Sequence, residues 1–333
     1  MGYFLAVSIL AAFVAGRAQA QDLPPYVPAN PLLESRSALY AQPFVHVTRG
    51  WQLRLLLDYY NAVEVSQSPS PQRQTIFDAE VMQADLWVTH DLSPRVFLIG
   101  GLPLRGGYSG FLDGFLIWYH NALGLRVPAR DQLPRNTFQW GFTLPDTTVN
   151  REPPGTFLGD VRVGAGLRFG RLEVIGTVTA PTATLGQDGW TRRMVGTSLA
   201  VTSELVQSSR FLVDASASAG FTPTNGALAR YQRNAFASGF VTTRWRFAGQ
   251  QAVFGSVWAQ SSNWKGTGFD SVDDAEVIAD FGFLLHLGRR WPELQLGMTQ
   301  DLVPKGPAMD VGITIGVRWG SRRDDATHQG PVQ

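Results

Sequence analysis

The sequence predicts an all-β fold, a transmembrane antiparallel β-barrel of about twelve strands. Three observations carry this: segments about ten residues long alternate in polarity, the links between them alternate short and long, and the N-terminus reads as an export signal. A period of two puts one set of side chains on each face of a strand. It is clearest where Phe211, Val213, Ala215, Ala217, Ala219 and Phe221 share one face and Asp214, Ser216, Ser218 and Gly220 the other. The same split recurs at Val161, Val163, Ala165, Leu167 and Phe169 against Asp160, Arg162, Gly164, Gly166 and Arg168. It returns at Val311, Ile313, Ile315, Val317 and Trp319 against Asp310, Gly312, Thr314, Gly316 and Arg318.

Such segments fall at 51–61, 78–89, 95–104, 157–169, 172–182, 193–205, 211–222, 235–247, 251–262, 274–287, 293–302 and 309–319. Short links at 90–94, 170–171, 206–210, 248–250 and 288–292 alternate with long ones at 66–73, 105–156, 183–192, 223–233 and 263–273. Short turns at one end and long loops at the other are the pattern of an outer-membrane barrel, with the turns periplasmic. A soluble β-sandwich also alternates. Here, however, charge is confined to one face of nearly every strand, and Trp51, Tyr59, Phe169, Phe211, Phe221, Trp245, Phe247 and Trp319 sit at the ends of the other. That arrangement suits an apolar face turned to lipid with aromatics at both interfaces.

The remaining residues are read as a signal peptide over 1–20, a periplasmic lead-in over 21–50 and a polar periplasmic tail over 320–333, flanking a barrel over 51–319. Residues 4–14 are apolar and Ala18-Gln19-Ala20 supplies small residues for cleavage, although no Lys or Arg precedes the apolar run. The run is shorter than the roughly 20 residues a spanning helix needs. Charged residues make up only 17%, too few for a disordered chain, and the formal charge of +1 offers no basic field for nucleic acid. With no Cys there is no disulfide framework, so stability must come from hydrogen bonding and packing.

The longest link holds Tyr108-Ser-Gly-Phe-Leu-Asp-Gly-Phe-Leu-Ile-Trp-Tyr-His-Asn-Ala-Leu-Gly-Leu125. Its run from Gly110 to Phe115, with His120, the break at Gly124 to Pro128 and then Arg130-Asp131 and Arg135-Asn136, resembles a bacterial family of predicted outer-membrane proteins, domain of unknown function 3187. Asn30-Pro31-Leu32 resembles the start of that family. The resemblance implies a barrel and brings no biochemical activity. Read from the residues, the stretch has helical spacing, with Phe111, Phe115, Trp118, Ala122 and Leu125 on one stripe. So apolar a helix either folds into the barrel mouth as a partial plug or lies in the outer membrane interface. Phe111, Asp113, Phe115, Trp118, Tyr119 and His120 are its plug candidates. Asp113 and His120, seven apart, share its narrow polar side and read as helix capping and solvation, being too few ligands for a metal.

No Gly-x-Ser-x-Gly elbow and no helix with paired His occurs, and His46, His90, His286 and His328 are scattered, so no enzyme, metal or cofactor is expected. The inward face carries Asp58, Asp85, Asp160, Glu173, Glu204, Asp214, Glu276, Asp280, Glu293, Asp301 and Asp310 against Arg54, Arg162, Arg168, Arg244, Arg246 and Arg318. Arg168 can face Glu173 across a tight turn, and Glu293 can face Arg318. The surplus of acids, among small inward residues such as Gly164 and Ser216, points to a narrow, weakly cation-selective channel for small solutes in a Gram-negative outer membrane, its outer mouth partly covered by Phe111 to Leu125. A filled structural or interaction barrel is the alternative, and a barrel hydrolase a third. The expected partners are outer-membrane lipid, the barrel-assembly machinery and a small-molecule solute, with no nucleic acid. The facing assignment has a direct check. In refolding titrations, Val213→Arg or Ile315→Arg should destabilise by about 2–4 kcal/mol near mid-membrane, and Ser216→Arg far less.

Overall fold

A computed structural model describes Val45 and residues 50–67, 72–124, 133–186, 190–288, 291–302 and 311–320. The expected signal peptide, most of the lead-in, Asp310, the tail beyond 320, His46 and His328 lie outside these residues. In chain order the strands are β1 (Trp51–Gln67), β2 (Gln74–Asp91), β3 (Val96–Tyr108), β4 (Gln139–Leu144), β5 (Thr147–Arg151), β6 (Gly155–Leu158), β7 (Arg162–Phe169) and β8 (Leu172–Thr179). They continue with β9 (Gly196–Gln207), β10 (Phe211–Phe221), β11 (Ala235–Ala248), β12 (Gln251–Gln260), β13 (Glu276–His286), β14 (Glu293–Asp301) and β15 (Val311–Gly320).

Every neighbouring pair is antiparallel, and the ring closes where β1 pairs with β15 from Gln52↔Gly320 to Asn61↔Val311. Strands β6 and β7 lie in turn along the same edge of β3 and make one stave, while β4 and β5 stand apart as a hairpin, leaving twelve staves in the wall. Closure follows from the solvent. Hydrocarbon cannot hydrogen-bond an exposed strand edge, so each backbone group must find its partner in the next strand. No helix among the described residues is long and apolar enough to cross a membrane.

The two faces separate as the alternation predicts. Leu55, Leu57, Val163, Leu167, Val201, Val241, Ile313 and Ile315 are exposed on the outer wall, with Trp51, Phe169, Trp245, Phe247 and Trp319 among the aromatics near its ends. Asp58, Asp85, Arg162, Asp214, Arg244 and Asp280 are buried on the inner wall.

The structure departs from the sequence reading at the extracellular end. Strands β1 and β2 run for 17 and 18 residues, longer than the stretches at 51–61 and 78–89 that the alternation marks. Their outer halves rise beyond the lipid band and give β4 an edge to join, from Gln74↔Thr143 to Asp78↔Gln139. The region 105–156 is therefore more than a loop bearing one helix. Gln139 to Leu144 and Thr147 to Arg151 are β-branched and aromatic runs joined at Pro145-Asp146, which is hairpin chemistry inside a segment too long to be a plain turn.

The seam gives a test. Leu57 faces Ile315 in register on the outer wall, and the chain has no native Cys. Directly opposed residues bring their Cα atoms within disulfide range. Leu57→Cys with Ile315→Cys should oxidise to an intramolecular disulfide in the folded protein. Failure to cross-link would mean an open sheet.

Candidate functional site

At the centre of the lumen, Arg105 on β3 clamps Asp85 on β2 with two contacts, Nη1 to Oδ2 at 3.0 Å and Nη2 donating to Oδ1 at 3.1 Å. Both side chains are almost wholly buried. Alternation marks this strand only to residue 104, which puts Arg105 in a loop, but β3 runs on to Tyr108. The signal was present, because Arg105 continues the inward series Phe97, Ile99, Gly101 and Pro103. Asp58 on β1 stands within electrostatic reach of both members of the pair and accepts a hydrogen bond from Thr314 Oγ1 at 2.6 Å. Asp280 on β13 lies within electrostatic reach of Asp58.

Around the opposite wall, inward hydroxyls pair across successive strands: Thr177 with Ser198 at 2.5 Å, Thr202 with Ser216 at 2.8 Å, Ser218 with Ser238 at 2.7 Å, and Ser256 donating to Thr242 at 2.6 Å. Of the other charges read as inward, Arg162, Asp214 and Arg244 are buried on the lumen side and Arg54 is half-buried. Asp160 accepts the backbone N–H of Ala183, and Asp301 is half-buried at the end of β14. Arg318 Nη2 donates to Glu293 Oε2 at 3.0 Å. Asp310 lies outside the described residues.

The inner wall also carries large apolar rings that the charge pattern does not suggest. Trp87, Phe97, Phe240, Phe254 and Trp258 are all buried there. On β12 the inward face reads Ala252, Phe254, Ser256, Trp258 and Gln260, so both faces of that strand are apolar and alternation cannot say which one meets lipid.

Each end of the lumen is occupied. At the periplasmic end the backbone of Val45 is gripped inside the wall, its N–H donating to Glu173 Oε2 at 3.1 Å and its carbonyl accepting from Arg168 Nε at 2.7 Å. Arg168 also reaches Asp91 at 2.8 Å and Glu173 at 3.8 Å, and lies over the Phe97 ring. At the extracellular end the hairpin β4–β5 brings Trp140 and Phe142 against Phe77, Trp190 and Trp264, with ring centroids 5.1–6.4 Å apart. Gly107 makes room for this cluster, since a Cβ there would stand 2.8 Å from the Trp190 ring. The hairpin turn is latched from across the mouth, where Asp146 accepts from the Arg230 guanidinium and the Tyr231 hydroxyl. Burial and donation to Asp146 raise the Tyr231 hydroxyl above the usual phenol range.

Of the two places expected for the helix, the mouth and the outside of the wall, it takes the second. A helix forms over Asp113–Leu123, and Phe111, Asp113 and the preceding turn attach to the outer wall. Tyr59, Asn61 and Glu80 belong to the outward face of β1 and β2. Phe111 stacks on Tyr59, Asp113 Oδ1 accepts from Asn61 Nδ2 at 3.3 Å, and Glu80 accepts the backbone N–H groups of Phe111 and Leu112. Gly110 permits this with φ +75°, because a Cβ there would overlap the Glu80 carboxyl group. The helix buries Asp113, Leu116 and His120 and leaves Phe115 and Trp118 exposed, with Tyr119 between. Asp113 and His120 are thus wall contacts rather than a solvated side. Across the mouth it is the hairpin that meets other loops, through Trp264, Arg230 and Tyr231.

No family model matches the chain, and no curated protein matches it. Solved structures do resemble it. An outer-membrane channel from Pseudomonas putida F1 superposes with a TM-score of 0.52 at 12% identity, covering 82% of this chain and 96% of that one. The Pseudomonas putida toluene transporter TodX aligns at TM-score 0.42 and 10% identity, over 89% of this chain and 97% of its own. The first likeness shows the fold, an outer-membrane β-barrel.

The Asp85–Arg105 clamp makes a measurable prediction. Arg105→Ala leaves a buried carboxylate uncompensated and should destabilise the barrel by about 3–5 kcal/mol. Arg105→Ala combined with Asp85→Ala should be milder than Arg105→Ala alone. A double-mutant cycle in urea refolding reads the coupling, and additive effects would count against the clamp.

Proposed function

We propose that the protein is an outer-membrane channel for small solutes, held closed at its mouth by the β4–β5 hairpin. The observation that carries this is the polar inner wall, an ionic centre at Asp58, Asp85, Arg105 and Asp280 beside a ladder of paired hydroxyls. A barrel needing only stability could fill that volume with apolar side chains, since buried charge adds little net stability over a packed apolar core. The closure also suits a gate. Phe142 against Trp264, and Asp146 against Arg230 and Tyr231, are side-chain contacts that can part without breaking a wall hydrogen bond.

The excess of inward carboxylates over guanidinium groups favours cations, as charge of one sign lining a narrow passage does. On this reading the chain is exported with its first 20 residues removed, inserted by the barrel-assembly machinery and catalyses no reaction. Membership of the domain of unknown function 3187 family is proposed on the resemblance of the run from Gly110 to Phe115, which in the fold anchors the loop to Glu80. A filled structural barrel is the second reading, favoured by the inward rings of Phe97, Phe254 and Trp258.

Planar-bilayer recording separates the two. The intact protein should conduct weakly. Asp146→Ala, or removal of residues 139–151, should raise conductance with a preference for potassium over chloride. Removal of 111–124 should leave the lumen as closed as before, because that segment lies outside the wall. If neither the latch variant nor the hairpin deletion conducts, the filled barrel is the better account.

A further inference from the structure

The Asp113–Leu123 helix is inverted relative to a helix packed on a soluble protein. An amphipathic helix ordinarily turns its apolar stripe to the protein and its polar side to water. Here Asp113 and His120 are on the buried side with Leu116, 3% and 6% exposed, and Asp113 is bonded to Asn61 of the wall, while Phe115 and Trp118 face away, 48% and 64% exposed. Rings at Phe115 and Trp118 lie 5.8 Å apart, and Phe115 and Tyr119 6.3 Å, so the outward side is one aromatic surface.

Continuity says what covers it. Phe111 stacks on Tyr59 with centroids 5.7 Å apart, and Tyr59 shares the lipid-facing side of β1 with Leu55 and Leu57. Height agrees. Trp51, stacked on His90, marks the periplasmic interface, and Tyr59 lies eight residues further up the same strand. At about 3.3 Å per residue and a tilt near 40°, that rise is roughly 20 Å, most of the way across an apolar band of about 25 Å. The helix therefore meets the wall at the level of the outer interface, where aromatic side chains are at home.

We propose that the Asp113–Leu123 helix is a membrane-docking element, its aromatic side seated at the headgroup–acyl boundary of the outer leaflet. Glu80 and Asp113 are its tethers to the wall. Asp113 Oδ2 also accepts the backbone N–H of Asn136 at 2.6 Å, three residues before β4 begins, so the same tether ties the lipid-seated helix to the base of the mouth hairpin.

The absence of Cys makes a single-label experiment direct. Trp118→Cys and, separately, Phe115→Cys would be labelled with an environment-sensitive nitrobenzoxadiazole and refolded into phosphatidylcholine vesicles. Heat-dependent gel mobility would confirm a folded barrel. Ile315→Cys in mid-wall and Lys265→Cys on an exposed loop serve as references. Both helix positions should be quenched by acyl chains brominated near the headgroup more than by chains brominated near the terminal methyl. Iodide should quench them several-fold less than Lys265→Cys. Iodide quenching equal to that at Lys265→Cys would overturn the proposal. So would shielding from iodide without quenching by either brominated lipid, which would mean that a second copy or another protein covers the rings. The readout does not depend on conductance, so it stands or falls apart from the channel reading.

Discussion

Backbone hydrogen bonding in hydrocarbon is the constraint on which everything else in this molecule depends. A peptide group left unpaired in lipid carries several kcal/mol of penalty, so a sheet that crosses the membrane must close on itself. The β1–β15 seam, ten residue pairs long, meets that demand. Once the ring is shut, alternation sorts every wall residue into lipid or lumen, and a one-residue slip would exchange the two sets. Chemistry on the inner wall is therefore possible only because the membrane-facing band of the outer wall is apolar.

Closure also creates a low-dielectric interior in which polar groups need partners. The lumen answers with pairing at three levels. Arg105 and Asp85 share one hydrogen bond and a second ionic contact at the centre, hydroxyls join in cross-strand pairs along the β8–β12 wall, and Arg168 gathers Asp91, Glu173 and the Val45 carbonyl at the periplasmic end. Charge-assisted bonds of this kind are stronger and more directional than neutral ones. They tie neighbouring strands of the wall to one another while keeping its interior hydrophilic.

The extracellular end uses the same logic with different materials. By outlasting the membrane, β1 and β2 supply an edge for the β4–β5 hairpin on the mouth side and polar anchor points, Asn61 and Glu80, on the outside. One long connection thereby does two separate jobs. Its first part lies against the outer wall, and its second turns over the opening to meet Trp264 and Tyr231 from other loops. The hairpin is fixed to the wall by the β2–β4 ladder, whereas its contacts across the mouth are made by side chains alone.

The sequence alone determined the wall: strand alternation, the short and long links, and the facing of Asp58, Asp214 and Ile315 follow from a period of two and need no knowledge of neighbours. It also located the helix, because helical spacing is equally local. What only the tertiary structure decided is where non-periodic pieces go. The helix was legible and its side of the wall was not, since an aromatic stripe suits a lumen plug and a lipid interface alike, and the choice rests on Glu80 and Asn61, distant in sequence. Arg105 fell outside the expected strand because two glycines follow it and soften the pattern there. The inward rings of Phe254 and Trp258 were hidden because β12 is apolar on both faces. The Asp146 latch brings together residues 84 and 85 positions apart, a proximity set by barrel curvature and loop length rather than by any local pattern.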